Sequence, residues 1–433
     1  MKIKTRITAF SALCAAALYA GVSAQAQTFK IGVITLLSGP AAESYGTPNI
    51  NSTKLMVDKI NKGEVPAPYA SKGIAGMPIE LVILDEAAGT DRMLDGVRSL
   101  VEKEHVDAIL GPIASGNCLA ISPIVEQLQK FTILSDCGTP RVFEERAYKY
   151  VFRAGAHTTM DGASMAKYLV DSKMLGKSMG AINQDYAYGQ DNWSDFKGVL
   201  DQLAPGVAVT QTLWPKFGAG QYGAEISALS RQKGELIFSS FWGGDLQAFL
   251  MQGAPRGLFR DNKLALLAGA HVMPMMGKRF PEGVVIGERG AIGPLARSTP
   301  LSQWFTKEYE QAYKASPDSA SAYRIVQSLL GMKLAVEKAA QAKGGAKPTS
   351  EEIAKAMEYL QFDTPSGMVK MTLGNGHQAI QDAAVGITKW DDKKNKIVVN
   401  NIRYYPAECI NPPASMKSAD WIKAGLPGVK DCR

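Results

Sequence analysis

Short apolar runs alternate with longer amphipathic segments over most of this chain, and the alternation occurs in two series. Residues 29–36, 79–84, 108–110 and 132–135 read as strands, with helical patterns at 50–60, 93–104 and 119–128 between them. Consecutive parallel strands need a crossover of a dozen residues or more, and strands covered on both faces read as near-continuous apolar runs. This rhythm specifies a mainly parallel sheet with helices on both faces. A second series follows Arg153, with helices at 162–172, 191–203, 222–232 and 246–254 and strands at 178–183, 208–213, 235–239 and 263–268. The expected fold is α/β, with two doubly wound Rossmann-like lobes. Length agrees, because 433 residues exceed the ~250–300 at which one hydrophobic core stops growing.

Beyond residue 286 the pattern turns helical at 301–315, 320–342 and 350–360, with a break at Gly344, Gly345 and Pro348. Residues 384–389 and 396–402 read as a strand pair around Asp391-Asp392-Lys393-Lys394-Asn395. From Pro406 the chain is rich in Pro, Gly and Lys and reads as irregular.

The first 26 residues read as an export signal. Lys2, Lys4 and Arg6 precede an apolar stretch from Ala9 to Ala20, and Ala24-Gln25-Ala26 supplies small residues at a cleavage site. The stretch is shorter than the roughly 20 apolar residues of a spanning helix. Ser11-Ala12-Leu13 before Cys14 does not form a lipobox, so a freely soluble periplasmic product is expected.

Four cysteines remain after Cys14, an even number for an oxidising compartment, and three pairings are open. Cys118 and Cys137 each follow a strand and belong on neighbouring loops at one sheet edge; Cys409 and Cys432 bracket the Pro-rich tail. We expect Cys118–Cys137 and Cys409–Cys432 bridges.

Other chemistries find little support. Net charge is +7, three of it from Lys2, Lys4 and Arg6, and no Lys/Arg run carries interleaved aromatics, so nucleic acid is not an expected partner. The four histidines, His105, His157, His271 and His377, are scattered, and no cysteine spacing fits a metal site. No nucleophile elbow, H-E-x-x-H or phosphate-cradling loop is present. Gly374-Asn375-Gly376-His377-Gln378-Ala379 imitates a dinucleotide fingerprint without opening a βαβ unit and reads as a polar turn. Neither an enzyme nor a cofactor is expected.

Several short pieces occur in a telling order. Lys30-Ile31-Gly32-Val33, Leu37-Ser38-Gly39-Pro40 and Tyr45-Gly46 open the chain, followed by Gly73-Ile74-Ala75-Gly76, Asp85, Gly111-Pro112 with Ser115, Thr139, and Tyr188-Gly189. In order and spacing they resemble the leucine/isoleucine/valine-binding family of type I periplasmic binding proteins. That resemblance implies two lobes joined by three crossovers, here placed near Phe152, Arg289 and Met368. It assigns 27–152 plus 290–367 to one lobe, 153–289 plus 368–405 to the other, and 406–433 to a disulfide-held tail. It further implies the solute-binding component of an ABC importer, a monomer that captures a small carboxylate or a branched-chain-type amino acid by hinge closure and delivers it to a permease. A ligand-sensing receptor of the same fold is the alternative role.

The resemblance also places a ligand. Ser115 and Thr139, each following a strand and preceding a helix, would cradle a carboxylate beside Gly116 and Gly138, although Ser and Thr before helices also serve as ordinary caps. Tyr188, Trp242 and Tyr45 would close over the ligand. Amino-acid-binding relatives commonly carry a Glu where Gly269-Ala270-His271 falls, to pair with the ligand's ammonium. A neutral imidazole at His271 cannot supply that charge, which favours a carboxylate without an amine, aromatic or 2-oxo acids included, unless Asp245 or Asp136 restores it.

Overall fold

The computed structural model describes residues 27–232 and 234–429, and the two series become two sheets. In the first, Ile79–Asp85, Phe29–Thr35, Ala108–Leu110, Thr132–Leu134 and Val151–Arg153 lie side by side, all parallel. In the second, Ala208–Leu213, Ser178–Ile182, Leu236–Ser239, Lys263–Leu266 and Val285–Gly287 repeat the arrangement, and the antiparallel strands Ala383–Asp391 and Lys396–Tyr405 extend it. Central strands such as Ala108–Leu110 and Leu236–Ser239 are buried at every residue, which explains their unbroken apolar runs.

One crossing differs from expectation. The helix expected over 350–360 ends at Met357, and Gln361–Thr364 follows as a strand with alternating exposed and buried residues. It forms a hairpin with Gly367–Leu373 around Pro365 and Ser366, and Gln378–Ile380 then joins Val151–Arg153. All three strands complete the first sheet, so the chain does not cross near Met368. It crosses after Ile380, through Gln381 and Asp382, into Ala383–Asp391.

The tail also differs from the irregular segment expected. Helix Ser418–Lys423 packs on helix Ala187–Leu203, and Trp421, Leu426 and Val429 are buried in the second lobe's core. Its start reaches the first lobe as well, where the Ser418 backbone N–H donates to Glu144 at 3.0 Å. Apolar burial thus holds the tail. Cys118 and Cys137 form the expected disulfide beneath the first lobe's loops. Cys432, the partner expected for Cys409, and the signal expected over residues 1–26 lie outside the described residues.

The lobes meet face to face. A side chain at Gly244 would stand 2.5 Å from the carbonyl oxygen of Pro40 in the opposite lobe, so glycine there permits contact. Nearby, Arg141 and Asp191 pair across the boundary at 3.1 Å.

Candidate functional site

Where the lobes meet, the carboxyl ends of six parallel strands converge, the usual place for a ligand in open α/β sheets. The first lobe contributes Tyr45 from the turn Ala42–Gly46, Ser115 from the start of helix Ser115–Gln127, and Asp136 just past Thr132–Leu134. The second contributes Tyr188 from the first turn of Ala187–Leu203, Trp242 ahead of Gly243–Gly253, and Arg289 just past Val285–Gly287. With Ile113 and Tyr186 they line an inner cavity of about 10 Å³, less than any solute needs. Entry therefore requires the lobes to part or these side chains to move.

Arg289 organises the floor. Its Nη1 donates to the Asp136 carbonyl at 2.5 Å and to Asp136 Oδ1 at 2.9 Å, and its Nε to Asp161 Oδ2 at 3.2 Å. The guanidinium also lies 5.3 Å from the centre of the Tyr188 ring, within cation–π range. Arg324 stands 3.9 Å from Asp136, and Arg153 holds the carbonyls of Cys137 and Thr139 at 3.0 and 2.7 Å. Arg289 and Arg324 thus lie beside two buried aspartates, with Arg153 and the buried acid Glu288 in the same cluster. Burial raises the Asp136 carboxyl and pushes Asp161 up to about 7, against the pull of Arg289. Burial also lowers Arg153 to about 9 and Arg324 to about 10, which leaves both charged at neutral pH. Arg153 Nη2, Arg324 Nη2 and the Tyr188 hydroxyl are buried without hydrogen-bond partners, donors that an anion or water can satisfy.

The geometry divides the residues expected from sequence. Tyr45, Ser115, Tyr188 and Trp242 share the inner cavity. Gly116 and Trp242 line a second chamber of about 360 Å³ on the outer side, together with Tyr186 and Phe217. Gly138 supports the wall, since a side chain there would stand 2.8 Å from the Tyr188 ring. Its N–H, like that of Thr139, donates to Ser115 Oγ, at 3.1 and 3.3 Å. Thr139 lies outside both cavities; its hydroxyl accepts from Arg141 N at 3.3 Å and bonds Asp191. The helix start also serves a protein carboxylate, because Glu86 accepts from Ile113 N at 2.6 Å and Ala114 N at 2.9 Å.

His271 takes a different place from the one expected. Its Nε2 accepts from Gly243 N at 2.9 Å, and its ring packs edge-on behind Tyr45, 4.7 Å between centres. Burial pushes it down to about 3, so it is neutral and buttresses the wall instead of facing the cavity. The acid of this region is Glu288, which accepts from Gly269 N and Ala270 N and is raised by burial to about 8. Sequence reasoning missed Arg289 and Tyr186 as site residues. Arg289 had one available signal, its place directly after a strand at the sheet's carboxyl edge.

Two lobes closing on a buried polar cavity define a ligand-capture protein. The periplasmic binding protein family model matches residues 28–395, and the chain belongs to that family. The leucine-, isoleucine-, valine-, threonine- and alanine-binding protein of Pseudomonas aeruginosa is 24% identical over 371 residues, covering 84% of this chain and 90% of its own. Among solved structures, the solute-binding protein of an ABC transporter from Rhodopseudomonas palustris, in complex with 3,4-dihydroxybenzoic acid, superposes with a TM-score of 0.76 at 19% identity, covering 90% of this chain and 99% of that one. A leucine-binding protein of Thermotoga maritima gives 0.71 at 20% identity, covering 87% and 98%. No helix among the described residues is long and apolar enough to cross a membrane.

Proposed function

We propose that this chain is the solute-binding component of an ABC importer, and that its inner cavity takes the carboxylate of a small organic acid or amino acid. The observation that carries the reading is the set of buried donors without partners beside Arg289, the Tyr188 hydroxyl and Arg324 Nη2, at a lobe junction where Ser115, Tyr45 and Trp242 also converge. A buried donor needs an acceptor, and these have none among the described residues. A ligand carboxylate supplies the missing acceptors when the lobes close on it. The P. aeruginosa and R. palustris relatives, named for amino acids and found with a benzoate respectively, bracket the ligand classes.

Binding begins in the parted state. Ser115 and Tyr45 on one lobe meet the ligand first, closure brings Arg289, Tyr188 and Trp242 over it, and the closed form is what a permease recognises. The site needs no turnover chemistry, so the reading is non-enzymatic, with export directed by the first 26 residues and cleavage near Ala26. Fluorescence-monitored melting with leucine, alanine, 3-methylbutanoate and benzoate tests it. At least one carboxylate should raise Tm saturably; no shift with any of them would remove the assignment.

A further inference from the structure

Another cavity lies beside residues 154–157, where the chain first passes from one lobe to the other, and it shares no lining residue with the inner cavity or the outer chamber. Arg153 and His157, at the two ends of that crossing, contribute to its lining, as do Phe143 and Glu144 of the first lobe and residues 414–417 of the tail. Its volume of about 140 Å³ is far above the ~10–15 Å³ that one water requires and below the roughly 300–1,000 Å³ of sites for larger organic ligands. The occupant it fits is compact.

Arg153 and His157 are each 1% exposed, and each has polar atoms without partners. Arg153 is fixed in place: its Nε donates to Gln378 Oε1, its Nη1 to the carbonyls of Cys137 and Thr139, and its guanidinium lies 5.5 Å from the centre of the Phe143 ring. Three of the five guanidinium N–H groups are thereby satisfied, which leaves the two on Nη2. Burial and the neighbouring guanidiniums of Arg289 and Arg324 lower Arg153 to about 9, against the pull of Glu144 and Asp161, so it stays charged at neutral pH. Glu144 is committed to the tail, accepting from Ser418 N and Ser418 Oγ, and Asp161 to Arg289. Neither ring nitrogen of His157 has a partner, and burial pushes the ring down to about 3, so the neutral imidazole carries one N–H without an acceptor. Lys417 adds an exposed ammonium to the lining.

We infer that this cavity is a second ligand site, for a compact inorganic oxyanion of the sulfate or phosphate type, with Arg153 Nη2 and the His157 N–H as its buried donors and Lys417 as an exposed counter-charge. Water would satisfy the donors alone; an oxyanion satisfies them and also offsets the crowding of Arg153 by two like charges. Its occupant joins the first lobe, the crossing and the tail, none of which supplies the same residues to the solute cavity. The assignment is therefore independent of the carboxylate reading.

Isothermal titration of the mature chain at pH 7 with sodium sulfate and with sodium phosphate, in chloride buffer, tests it. At least one of the two anions should bind saturably, with a Kd of about 1 mM or tighter. Ala414→Phe, which narrows the cavity from the tail, should weaken that binding at least about tenfold, and Lys417→Glu about threefold. His157→Phe keeps a ring of similar shape but removes the N–H, and should also cost at least about threefold. Ala414 and Lys417 are exposed, so those two variants keep the fold even where His157→Phe does not. Tyr188→Phe, in the inner cavity, should leave the anion's affinity within about twofold. No saturable binding of either anion, or binding untouched by the folded variants of Ala414, Lys417 and His157, would overturn the assignment. Binding lost in Tyr188→Phe would overturn it too, by placing the anion in the solute cavity, and the carboxylate reading would stand.

Discussion

The inner cavity and the outer chamber share a wall, yet one is built around arginine and the other around aromatic faces with an acidic rim. Inside, Arg289 is locked by Asp136 and Asp161 and packed on Tyr188. Outside, Phe217 is 37% exposed and Gly116 leaves open space, so the lining is adaptable. Paired charges and fixed hydrogen bonds distinguish the first region, and open space and an exposed ring the second. The difference is one of stability, because buried ion networks cost far more to break than an exposed ring does to lose.

The sharpest way to break the comparison is Arg289→Met. It leaves Asp136 and Asp161 without their nearest counter-charge, so urea unfolding should show a loss of about 3–5 kcal/mol. Phe217→Ala should cost less than about 1 kcal/mol, as expected of a partly exposed side chain. Equal losses would erase the distinction. Ser115→Ala comes next: the N–H groups of Gly138 and Thr139 lose their acceptor, which should cost about 1–3 kcal/mol in the same assay.

The smallest expected effect is the dependence on pH. Asp161 and Glu86 are raised to about 7 and Glu288 to about 8, all by burial. A raised carboxyl contributes stability that is complete below its unfolded value and disappears as pH rises through the folded one. His271, lowered to about 3, is neutral in both states above its ordinary value and does not oppose this trend there. The Tm of the ligand-free protein should therefore fall between pH 6.5 and 8.5. Glu288→Gln should flatten the decline by on the order of 1–2 kcal/mol. A Tm that rises across this window would contradict the burial of these acids in protonated form.

Much of the fold was legible because buried parallel strands print themselves as unbroken apolar runs. The third crossing was not, since Gly367–Leu373 carries the alternating pattern of a strand but nothing local says which sheet will take it. Ser115, Tyr188 and Trp242 follow recognisable strands, and Tyr45, Ser115 and Tyr188 also fall in the order of the family resemblance, which made all four legible as candidates. Arg289 looked like any loop arginine: its partners lie 128 and 153 residues away in sequence, and only folding unites them. His271 shows the converse, a correct position at the strand end whose side chain turns to a backbone amide in place of the cavity.

The central claim is that Arg289 and its neighbours bind the charge of a carboxylate. Calorimetric titration at pH 7 with 3-methylbutanoate and with its primary amide, equal in shape but uncharged, tests this most directly. The acid should bind at least about tenfold more tightly than the amide, the worth of one charge-assisted contact in a buried site. Equal affinity for the two would contradict the claim.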